Sequence, residues 1–329
     1  MLLLSARPGC SGMLIFDLLA CFRRWVIFSI AATVLATPGA EAQDAEPRQY
    51  SNTPVGLNFL IAGYIYAQGR MAFDPALRIA DAQFHSNTGA LAYVRSFDFL
   101  GQSAKFDVIV PYSEFSARAP VQGQQREREM TGFGDPRFRV SLNLLGAPAL
   151  SLKEFASYKQ DLIVGVSLQV SAPLGQYDDT KLLNLGNNRW SFSPELGISK
   201  AWGRWIFEVA PSVTFFTINP DFFNGKRFEQ APLYLLRTSL IHNFESGAWI
   251  SLDSTYFRGL RTTVDGNKGD NEQENMRAGF TVALPIDRQN SIKLNAGTGI
   301  YTRTGSQFSK RRDSVAASMG SRLLSAHGG

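Results

Sequence analysis

Cysteine is almost missing from this chain: among 329 residues only Cys10 and Cys21 are cysteines, and both precede residue 43. If residues 1–42 are removed as a leader, the remaining chain has no thiol and no disulfide. That excludes a cysteine nucleophile and a thiolate metal site. An exported protein without disulfides must be stabilised by its hydrogen-bonded fold alone, which a closed β-barrel can provide.

A long apolar run is also missing. Residues 25–36 form the longest candidate, and they are too short for a membrane-spanning helix, which needs about 20 apolar residues. Together with the basic pair Arg23 and Arg24 before them, and Ala40-Glu41-Ala42 behind them, they predict a cleaved signal peptide over residues 1–42. The mature chain would then begin at Gln43, and translation would start at Met1 or at Met13. An uncleaved N-terminal anchor is the other interpretation.

Histidine and clustered charge are scarce as well. The three histidines, His85, His242 and His327, do not form a metal-ligand pattern, and Ser239 lies on the opposite parity of its strand from His242. We therefore expect no cofactor, no metal site and no enzyme activity. The formal net charge is +5 and falls to +4 without the leader, which holds three Arg against one Asp and one Glu. These charges are scattered, so no nucleic-acid partner is expected.

Strand-like segments fill the rest of the chain, and the gaps between them alternate between short and long. The short gaps are 100–103, 201–204, 245–247 and 285–290. The long polar gaps are 69–84, 118–132, 175–189, 219–230 and 261–272. Outer-membrane barrels alternate short periplasmic turns with longer extracellular loops, whereas a soluble sandwich has no reason to make every second connection long.

Twelve strands are predicted, an even number that returns both chain ends to the periplasm. They are expected at 54–68, 86–99, 104–117, 135–145, 161–173, 190–201, 205–218, 231–244, 248–260, 273–284, 291–302 and, with a less regular pattern, 313–323. The fold class is therefore all-β: a transmembrane antiparallel up-and-down β-barrel of about 12 strands over residues 54–323. Residues 43–53 would form a short periplasmic segment and 324–329 a tail. The long connection 146–160 breaks the rhythm, and 152–155 is expected to form a short periplasmic helix.

Apolar residues alternate with small or polar ones inside these strands. At 162–170 every second residue is Leu or Val, and Gly165, Ser167 and Gln169 lie between them. In the first strand the apolar parity is that of Leu57, Phe59, Ile61 and Ile65. A soluble β-sandwich would bury such a face as a core. The small and charged residues of the opposite face favour a hydrated lumen instead.

All four tryptophans after residue 42 lie at predicted strand ends. Trp190 lies at an outer end, and Trp202, Trp205 and Trp249 flank periplasmic turns. Membrane barrels carry aromatic girdles at both interfaces, because the indole ring is apolar while its N–H prefers water. The core tryptophans of a sandwich would fall in mid-strand. We predict that these four residues belong to the girdles.

Several segments resemble a known family. They are 132–139 (GFGDPRFR), 143–149 (NLLGAPA), 172–178 (APLGQYD), 184–190 (NLGNNRW), 194–197 (PELG) and 219–222 (NPDF). Across roughly residues 54–305 the chain resembles the MetA-pathway of phenol degradation family of outer-membrane barrels. The resemblance implies passage of aromatic or other hydrophobic compounds across the bacterial outer membrane.

Function is expected to reside in the lumen and the outer loops. By parity Glu195, Arg237 and Asp253 face inward near mid-strand, and Arg137 and Arg139 face inward at other depths. Rings of charge set selectivity in pores, although such charges can equally pair and brace the wall. On the outer loops the candidates for solute contact, or alternatively for loop packing, are Phe73, Phe222 and Phe223.

The expected function is passive passage of small hydrophobic or aromatic, phenol-like compounds. The expected partners are those solutes, outer-membrane lipids and the barrel-assembly machinery. Two other classes stay open: an outer-membrane lipid hydrolase, and a structural barrel without transport. The first would depend on His242, and the second would pass no solute whatever the charge at Glu195 or Asp253.

Overall fold

The structure, a computed structural model, describes residues 46–71, 82–121, 124–287, 289–304 and 308–319. The predicted leader with Cys10 and Cys21, the loop residue Phe73, His327 and the C-terminal tail lie outside these ranges. Within the described ranges, no helix is both long enough and apolar enough to cross a membrane.

Strands make up most of the described chain, with one short helix, α1. Their bounds are β1 Asn58–Met71, β2 Ala82–Phe99, β3 Gln102–Val121, β4 Gln124–Phe133, β5 Arg137–Leu145, α1 Leu152–Phe155, β6 Leu162–Ser171, β7 Ser191–Trp202, β8 Trp205–Phe216, β9 Asn219–Phe222, β10 Lys226–Gln230, β11 Leu233–Asn243, β12 Trp249–Gly259, β13 Thr262–Val264, β14 Asn267–Lys268, β15 Gln273–Pro285, β16 Asn290–Thr304 and β17 Phe308–Met319.

Twelve of these strands close into a ring, in the order β1, β2, β3, β5, β6, β7, β8, β11, β12, β15, β16, β17 and back to β1. Every pairing in the ring is antiparallel. The predicted antiparallel barrel is therefore confirmed. Its twelfth strand runs over Phe308–Met319, earlier than the predicted 313–323, and pairs with both β1 and β16.

One end of the barrel, the turn end, carries the tight hairpins. The β2–β3, β7–β8, β11–β12 and β15–β16 connections all lie there, as do the start of β1 and the end of β17, where Asn58 pairs with Met319. In the β2–β3 turn both Leu100 and Gly101 have positive φ, +52° and +79°. This is the conformation of the turns that match the twist of antiparallel strands.

The long β5–β6 connection also lies at the turn end. It contains the predicted helix α1, which begins with a capping box: Ser151 Oγ accepts from the Glu154 backbone N–H while the Glu154 carboxylate accepts from that of Ser151. Earlier in the same connection, Ala147 is fully buried, and Pro148 forms an isolated antiparallel β-bridge with Gln102. The connection is hydrogen-bonded to the turn end of the barrel, where the Ser103 N–H donates to the Ala147 carbonyl oxygen at 2.8 Å.

The opposite end, the loop end, is more regular than the sequence suggested. Residues 118–132 were predicted as a loop, yet β3 continues to Val121 and pairs with β4 as a hairpin that extends beyond the ring. Strands β9, β10, β13 and β14 form a separate four-stranded sheet from two other connections. Polar composition does not separate a solvated hairpin from a loop, since both expose their side chains.

The facing of β1 is opposite to the prediction. Leu60 and Tyr64 are 47% and 48% exposed, so the even-numbered residues face outward. Ile65 and Ala67, on the parity taken as outward, line an interior cavity instead. In β6 the predicted facing holds, because Ile163, Gly165 and Ser167 are buried. The inward face of β1 is apolar because that part of the lumen holds a hydrophobic cluster.

Ring closure at β1–β17 can be tested by a disulfide. The chain from Gln43 onward has no cysteine, so Ala62→Cys with Val315→Cys introduces the only pair. These residues are direct partners across the β1–β17 ladder, within disulfide range of about 4.5–5.5 Å between Cα atoms. We expect oxidation to give a faster-migrating denatured species that reduction removes.

The matched control joins Ala62→Cys to Ala296→Cys on β16, one strand further round the ring. We expect no cross-link there. Cross-linking of the control at the same rate as the test pair would contradict the register.

Candidate functional site: the lumen

The N-terminal segment 46–53 crosses the lumen in its turn-end half. The Glu46 carboxylate pairs with Arg139 of β5 at 3.2 Å and with Lys293 of β16 at 3.3 Å. These two strands lie on opposite sides of the ring. Residues 43–53 were expected to form a periplasmic segment; the described part instead lies inside the barrel, because the wall presents charged partners to it.

Tyr50 fixes the middle of this segment. It is 4% exposed, and its hydroxyl lies 2.9 Å from Glu195 Oε1 and 3.1 Å from Ser167 Oγ. The ring occupies the space above Gly165 and Gly197. A Cβ added at Gly197 would lie 2.0 Å from the ring, and one at Gly165 would lie 2.5 Å from it. Glycine at these two wall positions is thus what admits the tyrosine.

The predicted lumen charges meet the segment. Glu195 and Arg237 form an ion pair, and Glu195 also accepts from Gln49 Nε2 at 3.0 Å. Arg139 donates to Asp107 at 3.1 Å and to Gln49 Oε1 at 3.0 Å. Both ion pairs join neighbouring parts of the wall, and Gln49 of the segment adds a hydrogen bond to each of them.

Asp253 lies apart from this network. Its Oδ2 accepts from Ser251 at 3.0 Å and from Thr281 at 2.8 Å, while its buried Oδ1 has no partner among the described residues. Arg137 faces inward closer to the loop end, where it lines both lumen cavities.

Further inward contacts involve backbone groups of the segment. Lys105 Nζ donates to the carbonyl oxygen of Gln49 at 2.6 Å, and the Arg48 backbone N–H donates to Glu208 at 2.7 Å. These contacts are not predictable from the sequence, because nothing in residues 46–53 indicates which distant strands they meet.

The tryptophans divide into two groups. Trp190 lies at the loop end, Trp202 and Trp205 lie at the turn end, and all three are exposed on the outward face, where a girdle residue must lie. Their girdle role stays a prediction. For Trp249 the structure contradicts the girdle prediction. This residue shares the inward parity of Ser251 in β12, and the Arg48 guanidinium lies 5.5 Å from its ring. Its place at a strand end did not reveal which face it occupies.

Two cavities lie in series between the segment and the loop end. The mid-lumen cavity has a volume of about 350 Å³, and Glu46, Gln49, Glu195 and Arg237 contribute to its lining. The loop-end cavity has a volume of about 530 Å³. Arg137 and Asn187 are among the residues that line both. The two cavities therefore adjoin, and the mid-lumen cavity reaches down to the segment.

Asp135 anchors a loop inside the loop-end cavity. Its buried carboxylate accepts from the Gly175 backbone N–H at 2.9 Å, and from the backbone and side-chain N–H groups of Asn187 at 2.8 and 2.9 Å. The connection 172–190 between β6 and β7 is therefore folded inward. Its contacts are tight, since a Cβ at Gly175 would lie 2.7 Å from the Asp135 backbone nitrogen.

The inward loop brings apolar residues with it. Leu183 and Leu185 pack against a buried cluster formed by Ala67, Phe84, Phe115, Ala117 and Met130. Phe222 lines the loop-end cavity and stacks on Phe228 with ring centroids 4.6 Å apart. Phe223 touches Phe222 but does not line the cavity. The loop-end cavity is therefore part apolar and part polar.

Neither candidate for catalysis forms a site. Ser239 is buried on the inward face of β11, whereas His242 lies on the opposite face, 4.5 Å from the Trp205 ring. The described residues contain no group of three or more His, Cys, Asp or Glu side chains placed to hold a metal.

Most of the motif segments noted in the sequence meet around Asp135. Segment 132–139 supplies Asp135 itself, 172–178 supplies Gly175, and 184–190 supplies Asn187. Asn219 of segment 219–222 donates to Tyr177 at 2.9 Å. The family model described as "Putative MetA-pathway of phenol degradation" matches residues 67–311. The chain belongs to this family. The family's match thus includes the strands and the inward loop that build the loop-end cavity.

Solved structures show the fold of this family member. An outer-membrane channel from Pseudomonas putida is 18% identical, with a TM-score of 0.72, covering 84% of this chain and 100% of that chain. The β domain of the Bordetella autotransporter BrkA is 8% identical, with a TM-score of 0.50, covering 80% and 100%. No curated protein matches significantly. The neighbours establish an outer-membrane β-barrel fold.

The fit of Tyr50 against the wall generates a prediction. Gly197→Ala adds only the Cβ that would lie 2.0 Å from the tyrosine ring, and a rigid ring cannot yield at that distance. We expect the segment to leave its seat while the barrel stays closed. Single-channel conductance should rise, and the heat-dependent gel shift of a folded barrel should persist.

The control is the same substitution in a Tyr50→Ala background, where the ring is absent. There Gly197→Ala should change nothing further. An equal conductance step in both backgrounds would refute the seating of Tyr50.

Asp135 generates a second prediction. Asp135→Ala removes three hydrogen bonds to a carboxylate, each contributing about 1 kcal/mol or more, so local opening of the loop becomes at least ~100-fold more favourable. Trypsin cleavage after Lys181, in that loop, should accelerate accordingly, as followed by mass spectrometry of the fragments.

Asp270→Ala removes the same charge from an exposed position on another outer loop and should leave cleavage at Lys181 unchanged. If both variants are cleaved like the unmodified protein, Asp135 does not hold the loop.

Proposed function

We propose that this protein is an outer-membrane channel for passive passage of small hydrophobic or aromatic solutes. The observation that carries the proposal is the pair of adjoining lumen cavities, which segment 46–53 bounds on the turn-end side. A volume of about 530 Å³ lies within the range of sites that enclose small organic ligands, about 300–1,000 Å³. In the outer membrane the loop end would face outward and the turn end the periplasm.

The lining supports an aromatic solute. Phe222, Phe228, Leu183 and Leu185 offer apolar contact in the loop-end cavity, and the mid-lumen cavity below is polar at Arg137, Gln169 and Glu195. A solute with an apolar ring and a polar substituent matches this change from an apolar to a polar lining. The family description, which refers to phenol degradation, points the same way.

Passage requires the segment to move. It is held by ion pairs and hydrogen bonds rather than by a large apolar core: Glu46 to Arg139 and Lys293, and Tyr50 to Glu195. Each such bond contributes only about 0.5–3 kcal/mol net, since water can replace the partner. We infer that the segment is the gate. Movement of the segment out of the lumen opens the path, and the solute then diffuses through it without an energy source.

A structural barrel without transport is the second candidate, because the same segment spans the lumen. The test uses vesicles containing the refolded protein from Gln43, and a second set with a variant that begins at Pro54. Entry of pyrogallol and of glucuronate is compared with entry into protein-free vesicles. Heat-dependent gel migration shows that both proteins are closed barrels.

For the chain from Gln43 we expect entry of pyrogallol above the protein-free rate and little entry of glucuronate. For the variant from Pro54 we expect both to enter, because the polar lumen then has no closure. Equal entry of both solutes through the longer chain would indicate a general porin. No entry through either chain would favour the structural barrel.

A further inference from the structure

Arg189 lies in the wall of the loop-end cavity with one donor unused. It precedes β7, is 9% exposed, and lines the cavity. Its Nη2 donates to Gln230 Oε1. Its buried Nη1 has no hydrogen-bond partner among the described residues. A buried charged donor without an acceptor is destabilising, so an acceptor on a ligand gains most at such a group.

The guanidinium is held between two rings. Its central carbon lies 4.6 Å from the centroid of Phe216 and 4.8 Å from that of Phe228. Stacking on aromatic faces stabilises the cation and fixes the plane of its donors. Burial lowers the pKa of Arg189 to about 10, so the group remains a cation at neutral pH. The cavity thus contains an oriented positive charge.

The carboxylate of Asp135 does not form an ion pair with the Arg189 guanidinium. Asp135 lies close enough to raise the basicity of Arg189, yet the two form no ion pair within 4 Å. Its two oxygens instead accept from Gly175 and Asn187. Arg137 adds a second cation to the lining. The charge balance of the cavity therefore favours an anion.

Apolar surface lies beside the cation. The Phe228 ring lies against both Arg189 and Phe222, and Phe222 lines the cavity. A ligand with a planar apolar body and one carboxylate could place the ring on Phe222 and the carboxylate at Nη1. Nη1 is buried, so the carboxylate reaches it after a local shift of the groups around it.

We propose that the loop-end cavity is a binding site for small aromatic carboxylates, with Arg189 as the residue that recognises the carboxylate. This rests on the proposed function and adds to its phenol-like solutes the aromatic compounds that carry a carboxylate. Guanidinium groups suit carboxylates because their donors match the two oxygens.

The test is isothermal titration calorimetry on the refolded chain from Gln43 in detergent, with benzoate and its neutral analogue benzyl alcohol as probes. We expect benzoate to bind more tightly than benzyl alcohol. Arg189→Met, which keeps an apolar side chain between the two rings, should weaken benzoate binding at least ~10-fold, as loss of a charge-assisted hydrogen bond predicts. It should leave benzyl alcohol unaffected.

Arg227→Met is the matched control. It removes the same charge from an exposed arginine on the adjacent outer strand, β10, where Arg227 pairs with Glu229. Benzoate binding should be unchanged. Arg189→Lys keeps the charge but loses the planar donor pair, so intermediate binding is expected, and this variant serves if Arg189→Met does not fold.

Equal binding of benzoate and benzyl alcohol to the unmodified chain overturns the proposal, as does equal loss in Arg189→Met and Arg227→Met. Vesicle permeation separates it from the channel function. Benzoate binding that depends on Arg189, in a barrel that passes no solute, would leave the binding site standing and remove the channel. Passage of pyrogallol without benzoate binding would do the reverse.

Discussion

Backbone hydrogen bonding of each strand to both of its neighbours around the ring is the constraint on which this structure depends. Inside a membrane no water replaces a missing partner, so a sheet that crosses it must close, and here β17 closes it onto β1. Closure fixes the size of the interior. About eight strands leave a lumen that side chains fill, and about sixteen leave a water-filled channel. Twelve strands lie between, so additional chain can enter the lumen. Segment 46–53 does so from the turn end and the connection 172–190 from the loop end.

The ring itself was predictable because its signals are local. Gap lengths and residue alternation located all twelve strands, and Ser151 with Glu154 marks the one helix. The facing of β1 was not predictable from hydropathy. Both of its faces are partly apolar, and only the position of Phe84 and Phe115 in the lumen decides which one turns inward. Likewise, the polar residues of β4 do not show that they continue a hairpin, since solvated strands and loops share their composition.

The site was predictable only in part, and sequence separation explains why. The parity of Glu195 and Arg139 placed them inward, but their partner Gln49 lies 146 and 90 residues away. Glu46 and Lys293 are 247 residues apart. No pattern in a single sequence pairs such positions. The family motifs around Asp135 show the same effect, because each was recognisable by itself while their meeting point was not. Arg189 was not predictable as a site residue for the same reason, because its aromatic neighbours, Phe216 and Phe228, belong to β8 and β10.

The chemistry of the segment also decides how firmly it closes the lumen. Had residues 46–53 been apolar, their burial would have favoured the closed state by an amount that scales with area and that water could not replace. Ion pairs behave differently. Separating Glu46 from Arg139 and Lys293 in a dry interior would be costly, yet the adjoining mid-lumen cavity is polar and large enough to admit water. As water enters, each separated charge regains hydration, and the difference between the closed and open states shrinks. A polar segment in a polar lumen is therefore suited to reversible closure. The apolar cluster against which Leu183 and Leu185 pack instead stabilises one arrangement of the loop.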